Sequence, residues 1–158
     1  MVANTLISNT LISNTLEKWM TLRNLSMTEI QENFAVSESH IQSASYQKLS
    51  DLVSFRNTVT QPGIFFFRDG RFAMLYVSGS TPEVKQLTLQ ILKDYLGEPN
   101  AVLRSRAGRH NRLHVHPSKG IAFSTGYDNT VDFVEIFLPI SLEEYQTQIY
   151  EEPSKFIR

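Results

Sequence analysis

The sequence predicts an α+β fold class, with a mainly antiparallel sheet of about six strands and helices packed on it. Two stretches pair apolar runs around a turn dipeptide, and several segments carry helix start and stop signals. The 158 residues include 41% hydrophobic and 20% charged side chains, which is ordinary for a globular domain. A chain of this length is able to bury one core without disulfides or metals.

The chain begins with "NTLISNTLISNTLEKW", which is two copies and part of a third of a five-residue unit. Its leucines recur every fifth residue, a period that matches neither one face of a helix nor one face of a strand. We therefore divide the chain into a flexible repeat extension over 1–15, a single α+β domain over 16–152 and a tail over 153–158.

The first half of the domain predicts one helix and one strong hairpin. Ser26 and Glu29 have capping-box spacing and open a helix in "SMTEIQENF". The polar stretch 36–50 predicts a loop, and "DLVSFRN" a short strand. The hairpin is "IFFFRDGRFAMLYV", because Asp69-Gly70 accepts the positive φ of a tight turn. Both of its runs are apolar on successive residues, which predicts strands covered on both faces.

The second half repeats this arrangement. "STPEVKQLTLQILKDYLGEP" predicts one helix that starts at Pro82 and stops at Gly97. "AVLRSR" and "RLHVH" predict strands around Gly108, and "GIAFSTGYDNTVDFVEIF" a hairpin turning near Asp128-Asn129. "SLEEYQTQIY" predicts a last helix. Both hairpins open Gly-Ile-x-Phe after a helix, which suggests two related helix-plus-hairpin units.

The helix that runs into "YLGEPNAVL", followed by antiparallel strands, resembles a known arrangement. It is similar to the helix, Leu-Gly-x-Pro, strand unit of the β-lactamase-inhibitor-protein-like fold, which includes the small lipoprotein of the outer-membrane barrel-assembly machinery. "LSMTEIQENF" resembles the same unit's opening helix without the Gly and Pro. The resemblance implies binding of other proteins across a sheet face. This chain has no lipidation cysteine, so an envelope role is not carried over.

Composition excludes several function classes. The chain has no cysteine, which rules out a disulfide framework, a thiolate zinc site and a cysteine nucleophile. No basic leader precedes an apolar run, and no apolar run approaches the length of a membrane span. We therefore expect a cytoplasmic protein without a membrane partner. No Gly-x-Ser-x-Gly elbow is present, so a non-catalytic protein is expected.

The stretch "RSRAGRHNRLHVHPSKG" over 104–120 is the main candidate for a binding surface. It holds five of the fifteen Lys and Arg residues and three of the four histidines, in a chain of net charge −1. Strand parity directs Leu113 and Val115 to one sheet face and the basic side chains to the other. We expect this basic face to bind an acidic protein surface. The candidate partner-binding residues are Arg104, Arg106, Arg109, Arg112, His114 and His116.

Three alternatives remain open for the same stretch. The acidic segment over 128–152 is able to pair with it, or it forms a solvated, charged sheet edge. Anion or nucleic-acid binding is the second alternative. The third is a degenerate cupin-like metal site, because Gly108, His114 and His116 have the spacing of Gly, five residues, His-x-His. The Glu that cupins place shortly afterwards is missing, so we expect no metal and no cofactor. The sequence leaves the oligomeric state open.

Overall fold

The structure, a computed structural model, describes residues 13–57 and 59–154. Within this part the chain forms one eight-stranded antiparallel sheet, which confirms the α+β class. The strands are β1 (Ile41–Tyr46), β2 (Leu49–Phe55), β3 (Ile64–Arg68), β4 (Arg71–Ser78), β5 (Ala101–Arg104), β6 (Arg112–His116), β7 (Ile121–Thr125) and β8 (Val131–Ile136). Their order across the sheet is β1-β2-β3-β4-β8-β7-β6-β5.

Five α-helical segments accompany the described part of the sheet. They are α1 (13–22), α2 (Met27–Asn33), α3 (Pro82–Lys85), α4 (Leu89–Leu96) and α5 (Leu142–Glu144), which continues as a π-helical turn over Tyr145–Ile149. Short 3-10 turns lie at Glu38–His40 and Pro117–Lys119. Of the helices in 13–57 and 59–154, none has the length and apolar character needed to cross a bilayer.

The elements follow the same order twice along the chain. Helices α1 and α2 precede the antiparallel strands β1 to β4, and helices α3 and α4 precede the antiparallel strands β5 to β8. The two groups join where β4 pairs antiparallel with β8, from Leu75 opposite Ile136 to Ser78 opposite Phe133. The two hairpins that open Gly-Ile-x-Phe are the last two strands of each group. This order agrees with two related helix-plus-hairpin units.

The glycines that open the two hairpins have the same physical role. A Cβ atom on Gly63 would overlap the carbonyl oxygen of Tyr76, and one on Gly120 would overlap that of Phe137. Tyr76 belongs to β4, and Phe137 directly follows β8. In both hairpins the second strand therefore brings its backbone against the glycine that opens the first. Gly120 also has φ of 69°, where side chains are strained. Only glycine fits these two close approaches without displacing the neighbouring strand.

Side chains cover both faces of the sheet. On one face, here called the helix face, Phe65 and Phe123 belong to a core that also contains Trp19 of α1. On the other, the C-terminal face, Phe66 packs in a second core with Tyr145. The residues after β8 cover this second face. The prediction that the central hairpin strands are buried on both sides is confirmed.

The prediction that 36–50 forms a loop is wrong. Residues Ile41–Tyr46 are strand β1, which raises the strand count above the expected six. This strand lies at the edge of the sheet, and most of its side chains are exposed or half-buried. A polar edge strand lacks the alternation of buried and exposed residues that identifies inner strands.

The single helix predicted over 82–97 is divided in two. Thr88 interrupts the predicted helix, because it forms an isolated β-bridge with Thr130. The Thr88 hydroxyl then caps α4 by accepting from the backbone N–H of Ile91 at 3.3 Å. No Gly or Pro marks this break in the sequence. At the start of the chain, residues 13–15 of the repeat extension are helical and belong to α1. The rest of the extension, 1–12, and the end of the tail, 155–158, lie outside the described residues.

The capping box predicted at Ser26 is present and allows a direct test. The Ser26 hydroxyl accepts from the Glu29 backbone N–H at 3.1 Å, and the Glu29 carboxylate accepts from the Ser26 backbone N–H at 2.9 Å. Replacing Ser26 with alanine is expected to lower the free energy of unfolding by about 1 kcal/mol, measured by urea denaturation. The control is Thr28→Ala on the exposed side of α2, which leaves both bonds intact. An equal loss in the two variants would contradict the capping role.

Candidate functional site

The β5 and β6 strands and the loop 105–111 carry most of the basic stretch. Arg104 lies opposite Arg112 in the strand ladder. The last bond between the two strands follows one residue later, where the backbone N–H of Ser105 donates to the carbonyl of Asn111 at 3.2 Å. Residues 106–110 therefore form the part of the loop that lies outside the ladder.

The histidines of β6 lie inside the protein. His114 and His116 are only 6% and 2% exposed, and their rings stack on the Phe123 ring at centroid distances of 4.8 and 6.0 Å. The Nε2 atom of His114 lies 2.9 Å from the Thr125 hydroxyl. The Nδ1 atom of His114 and the Nε2 atom of His116 have no hydrogen-bond partner. Both rings are on the helix face of the sheet.

This placement corrects the expectation of one accessible basic face. His114 and His116 point away from Leu113 and Val115 as predicted, but helices cover the face they occupy. Burial and the nearby Lys93 lower the pKa of His114. Burial, with Lys119 and His114 close by, lowers the pKa of His116 to about 4. Neither imidazole is available to a protein partner.

Arg106 lies on the opposite, C-terminal face. Its guanidinium carbon is 4.3 Å from the centroid of the Phe133 ring and 5.1 Å from that of Tyr46. Its Nη2 donates to the Tyr46 hydroxyl at 2.7 Å, and its Nη1 lies 3.4 Å from a carboxylate oxygen of Glu135. Arg106 and the histidines are therefore separated by the thickness of the sheet and do not share a surface.

Glu135 is the centre of a buried polar cluster with Arg106, Tyr46 and Tyr145. The Glu135 side chain has no solvent exposure. The Tyr145 hydroxyl donates to one of its carboxylate oxygens at 2.6 Å, and the Tyr46 hydroxyl donates to the other. Tyr46 comes from β1, Glu135 from β8, Arg106 from the β5–β6 loop and Tyr145 from the segment after β8. The cluster thus ties together parts of both units and the C-terminal segment.

The electrostatics of this cluster indicate a structural role. Burial, followed by the charge of Glu135, raises the pKa of both Tyr46 and Tyr145 well above the usual value. The two hydroxyls therefore remain protonated and donate to the carboxylate. Arg106 supplies the opposite charge, so the buried Glu135 is both paired and hydrogen-bonded. Both carboxylate oxygens of Glu135 and both tyrosine hydroxyls are engaged by other members of the cluster.

Arg104 binds the C-terminal segment. Its guanidinium lies 3.4 Å from the Glu152 carboxylate and donates to the carbonyls of Pro153 and Ser154 at 3.3 Å each. The Tyr150 hydroxyl donates to the Arg104 carbonyl at 2.8 Å. For Arg104 and Arg106, whose partners Glu152 and Glu135 both lie in 128–152, the alternative that the basic stretch pairs with the acidic segment is confirmed.

The remaining predicted residues, Arg109 and Arg112, are exposed. Arg112 lies opposite Thr125 in the ladder between β6 and β7. Tyr127 follows Thr125 by two residues and is 92% exposed. We call the set Arg109, His110, Arg112 and Tyr127 the arginine loop surface. Among residues 13–57 and 59–154, no ion pair involves either of its arginines.

The loops that carry this surface are anchored to each other. The Asn111 side chain donates to the Asp132 carboxylate at 2.7 Å, and the Ser124 hydroxyl donates to the same oxygen at 2.7 Å. The Ser124 hydroxyl also lies 2.6 Å from that of Ser105. Buried and half-buried side chains therefore anchor the backbone of the 105–111 loop to β7 and β8.

In the described part of the chain, no group of three or more His, Asp or Glu side chains is arranged to hold a metal ion. The two histidines of the cupin-like spacing are enclosed between the sheet and the helices, and both stack on Phe123.

Sequence reasoning missed Glu135, Tyr46, Tyr145 and Tyr127. Of these, only Glu135 is recognisable from the sequence as a buried charge, because it is the one acid within the apolar run "FVEIF". By strand alternation it shares a sheet face with Phe133 rather than with Val134. A charge in a strand buried on both faces requires a partner. Its partners come from distant parts of the chain and were not identifiable from spacing.

Comparison with known proteins gives one remote structural similarity. No protein-family model matches the chain, and no curated protein sequence matches it. The chain is similar to the crystal structure of a DUF4309 family protein (YjgB) from Bacillus subtilis subsp. subtilis str. 168. The sequence identity is 13%, the TM-score is 0.43, and the match covers 72% of this chain and 78% of that chain.

Proposed function

We propose that the protein is a non-catalytic protein-binding module that contacts an acidic protein through the arginine loop surface. The observation that carries this proposal is the 92% exposure of Tyr127 at the same end of the sheet as two exposed arginines that form no ion pair with the described residues. An aromatic side chain exposed to this extent gains by burial against a partner. Tyrosine and arginine are also the residue types that dominate binding energy at protein interfaces.

The chemistry of the surface favours carboxylates. Arg109 and Arg112 each present a planar fork of donors that matches a carboxylate in two parallel hydrogen bonds. An acidic partner supplies the charge that the described neighbours of these arginines do not. Since the loops are held by Asn111, Asp132 and Ser124, little ordering is needed on binding. This favours a docking role for an adaptor, inhibitor or assembly factor.

The buried Glu135 cluster supports the non-catalytic part of the proposal. A general acid or base must reach its substrate, whereas Glu135 is fully enclosed and engaged by Arg106, Tyr46 and Tyr145. The cluster holds the sheet and the C-terminal segment together. Reactivity is not required to explain its composition.

The proposal predicts that reversing the two exposed charges removes partner binding. The Arg109→Glu/Arg112→Glu variant is compared with wild type in affinity capture from lysate of the native cell. We expect a captured protein to be depleted at least about tenfold, because two carboxylate contacts become repulsive. The matched control is Lys18→Glu/Arg56→Glu, which reverses two exposed charges of the other unit.

Nuclease treatment separates this proposal from the nucleic-acid alternative. A protein that remains bound after nuclease and is lost only with the Arg109→Glu/Arg112→Glu variant supports it. Recovery of nucleic acid, or of proteins that disappear after nuclease, would favour nucleic-acid binding instead. Capture of the same proteins by both charge-reversal variants would show that the arginine loop surface is only a solvated edge.

A further inference from the structure

A second surface feature lies at the other end of the strands. A cleft with a volume of ≈ 540 Å³ separates the β3–β4 turn from the segment after β8. In the antiparallel β4–β8 pair, the start of β4 lies beside the end of β8, whereas Tyr127 precedes the start of β8. The cleft and the arginine loop surface are therefore at opposite ends of the sheet. The apolar side chains that line the cleft include Leu49, Phe72, Phe137, Leu138, Ile140 and Ile149.

Two arginines form the charged part of this cleft. Arg68 and Arg71 both line it and lie directly opposite each other in the β3–β4 ladder. Like charges in this position repel. Within residues 13–57 and 59–154, no ion pair involves either arginine or the nearby Asp69. Asp69 lies between them in the turn and lines the same cleft, so these three side chains carry a net charge of +1.

The guanidinium of Arg68 is already oriented. Its Nη2 donates to the carbonyl of Ser50 at 2.9 Å, next to Leu49 in the cleft wall. The guanidinium has five N–H donors in a fixed fork, so further donors remain for an anion. A pre-oriented donor loses less freedom on binding than a mobile one. Arg71 is exposed across the ladder and is available to share the same anion.

The apolar part of the cleft is shallow. Leu138 is 46% exposed, whereas Phe137 and Ile149, which line the same cleft, are 1% and 5% exposed. Such a floor accommodates one apolar side chain better than a long alkyl tail, which needs an enclosed tunnel. The cleft therefore combines a site for one apolar side chain with a site for one carboxylate. A peptide that ends in an apolar residue carries both groups on its last residue.

We propose that this cleft binds the C-terminal residue of a partner polypeptide. The apolar side chain of that residue lies against Leu138 and Ile149, and its α-carboxylate is held between Arg68 and Arg71. This cleft is a separate site from the arginine loop surface. It provides a second contact with a partner polypeptide, specific for a free C-terminus. Such capture of a terminal carboxylate is an established mode of peptide recognition.

The test uses the full chain and defined peptides. Fluorescein-labelled pentapeptides of sequence Gly-Ser-Gly-Ser followed by Leu, Ile, Val, Phe or Met are prepared as free acids and as C-terminal amides. Binding is measured by fluorescence anisotropy. We expect at least one free acid to bind about tenfold or more tightly than its amide, because the amide lacks the charge that both arginines recognise.

Two variants test the residues. Arg68→Gln/Arg71→Gln is expected to weaken binding of the free acid roughly tenfold or more. Arg71→Gln alone leaves the Arg68–Ser50 bond intact and is expected to show part of the loss. Lys85→Gln is the matched control. Arg109→Glu/Arg112→Glu should bind the peptides as wild type does, which separates this site from the arginine loop surface.

The proposal is overturned by any of four results. Absence of binding by all five free acids excludes a terminal residue of the proposed kind. Equal binding of acid and amide, or unchanged binding by Arg68→Gln/Arg71→Gln, excludes recognition of the carboxylate. Decanoate serves as a competitor: displacement of the best peptide at lower concentration than an equivalent unlabelled peptide would assign the cleft to small carboxylates instead.

Discussion

Replacing Glu135 with alanine is expected to lower the free energy of unfolding by about 3–5 kcal/mol. The substitution removes the only acid of the buried cluster and leaves Arg106 facing aromatic rings without its opposite charge. The hydroxyls of Tyr46 and Tyr145 also lose their acceptor while they remain buried. The effect is large because elements from both units and the C-terminal segment meet at this one carboxylate.

Urea denaturation followed by circular dichroism measures this loss. Tyr145→Phe removes a single hydrogen bond and is expected to lose about 1–2 kcal/mol, which gives an intermediate point. Glu83→Ala, on the exposed side of α3, is the control and is expected to remain within about 0.5 kcal/mol of wild type. A loss below about 1 kcal/mol for Glu135→Ala would show that the cluster does not hold the fold together.

Acid is expected to destabilise the protein through the buried histidines. The pKa of His116 is about 4 in the fold, well below its usual value of 6.5, because the ring is buried near Lys119 and His114. The unfolded chain therefore binds a proton near pH 6.5 that the folded chain resists until about pH 4. This stabilising contribution is complete above pH 6.5 and is lost as the pH falls toward 4. His116 alone accounts for a loss on the order of 3 kcal/mol over that window.

The pH dependence of the unfolding free energy between pH 7 and 4.5 tests this expectation. His116→Phe retains an aromatic ring beside Phe123 but has no titrating group, so its stability should fall less steeply with acid than that of wild type. His110→Gln, on the exposed loop, is the matched control and leaves the buried pair untouched. Parallel pH profiles for wild type and His116→Phe would contradict the assignment.

Local signals in the sequence predicted much of the fold. The Asp69-Gly70 turn, the capping box at Ser26 and the stop at Gly97 are all present, because each depends on neighbouring residues alone. Strand β1 was missed because an edge strand with polar side chains has no buried alternation. The break at Thr88 was missed because its bridge to Thr130 comes from a distant hairpin.

The site was predicted less well, for a physical reason. Strand parity placed His114 and His116 correctly relative to Leu113, but parity does not say which sheet face the helices cover. Arg106 lies beyond the end of the ladder, where parity no longer applies. The partners that bury it, Tyr46 and Glu135, are 60 and 29 residues away in sequence. Spacing within one stretch carries no information about such contacts.

The resemblance to the β-lactamase-inhibitor-protein-like fold stays a prediction. The repeated order of helices and four antiparallel strands is a property of this chain, argued from its own elements. What the resemblance implies about protein binding is consistent with our proposal but does not identify a partner. The proposed contact uses loops at the end of the sheet rather than a sheet face, because helices and the C-terminal segment cover the strands.

Site-specific photocrosslinking at Tyr127 tests the proposed function most directly. The crosslinking residue p-benzoylphenylalanine replaces Tyr127 in one sample and the 90% exposed Val59 of the other unit in a second. Irradiation is performed in lysate of the native cell, with and without nuclease. We predict a nuclease-resistant adduct from position 127 alone, mapped to an Asp- and Glu-rich segment of one protein and lost with Arg109→Glu/Arg112→Glu. The same adducts from both positions, or adducts to nucleic acid, would contradict the account.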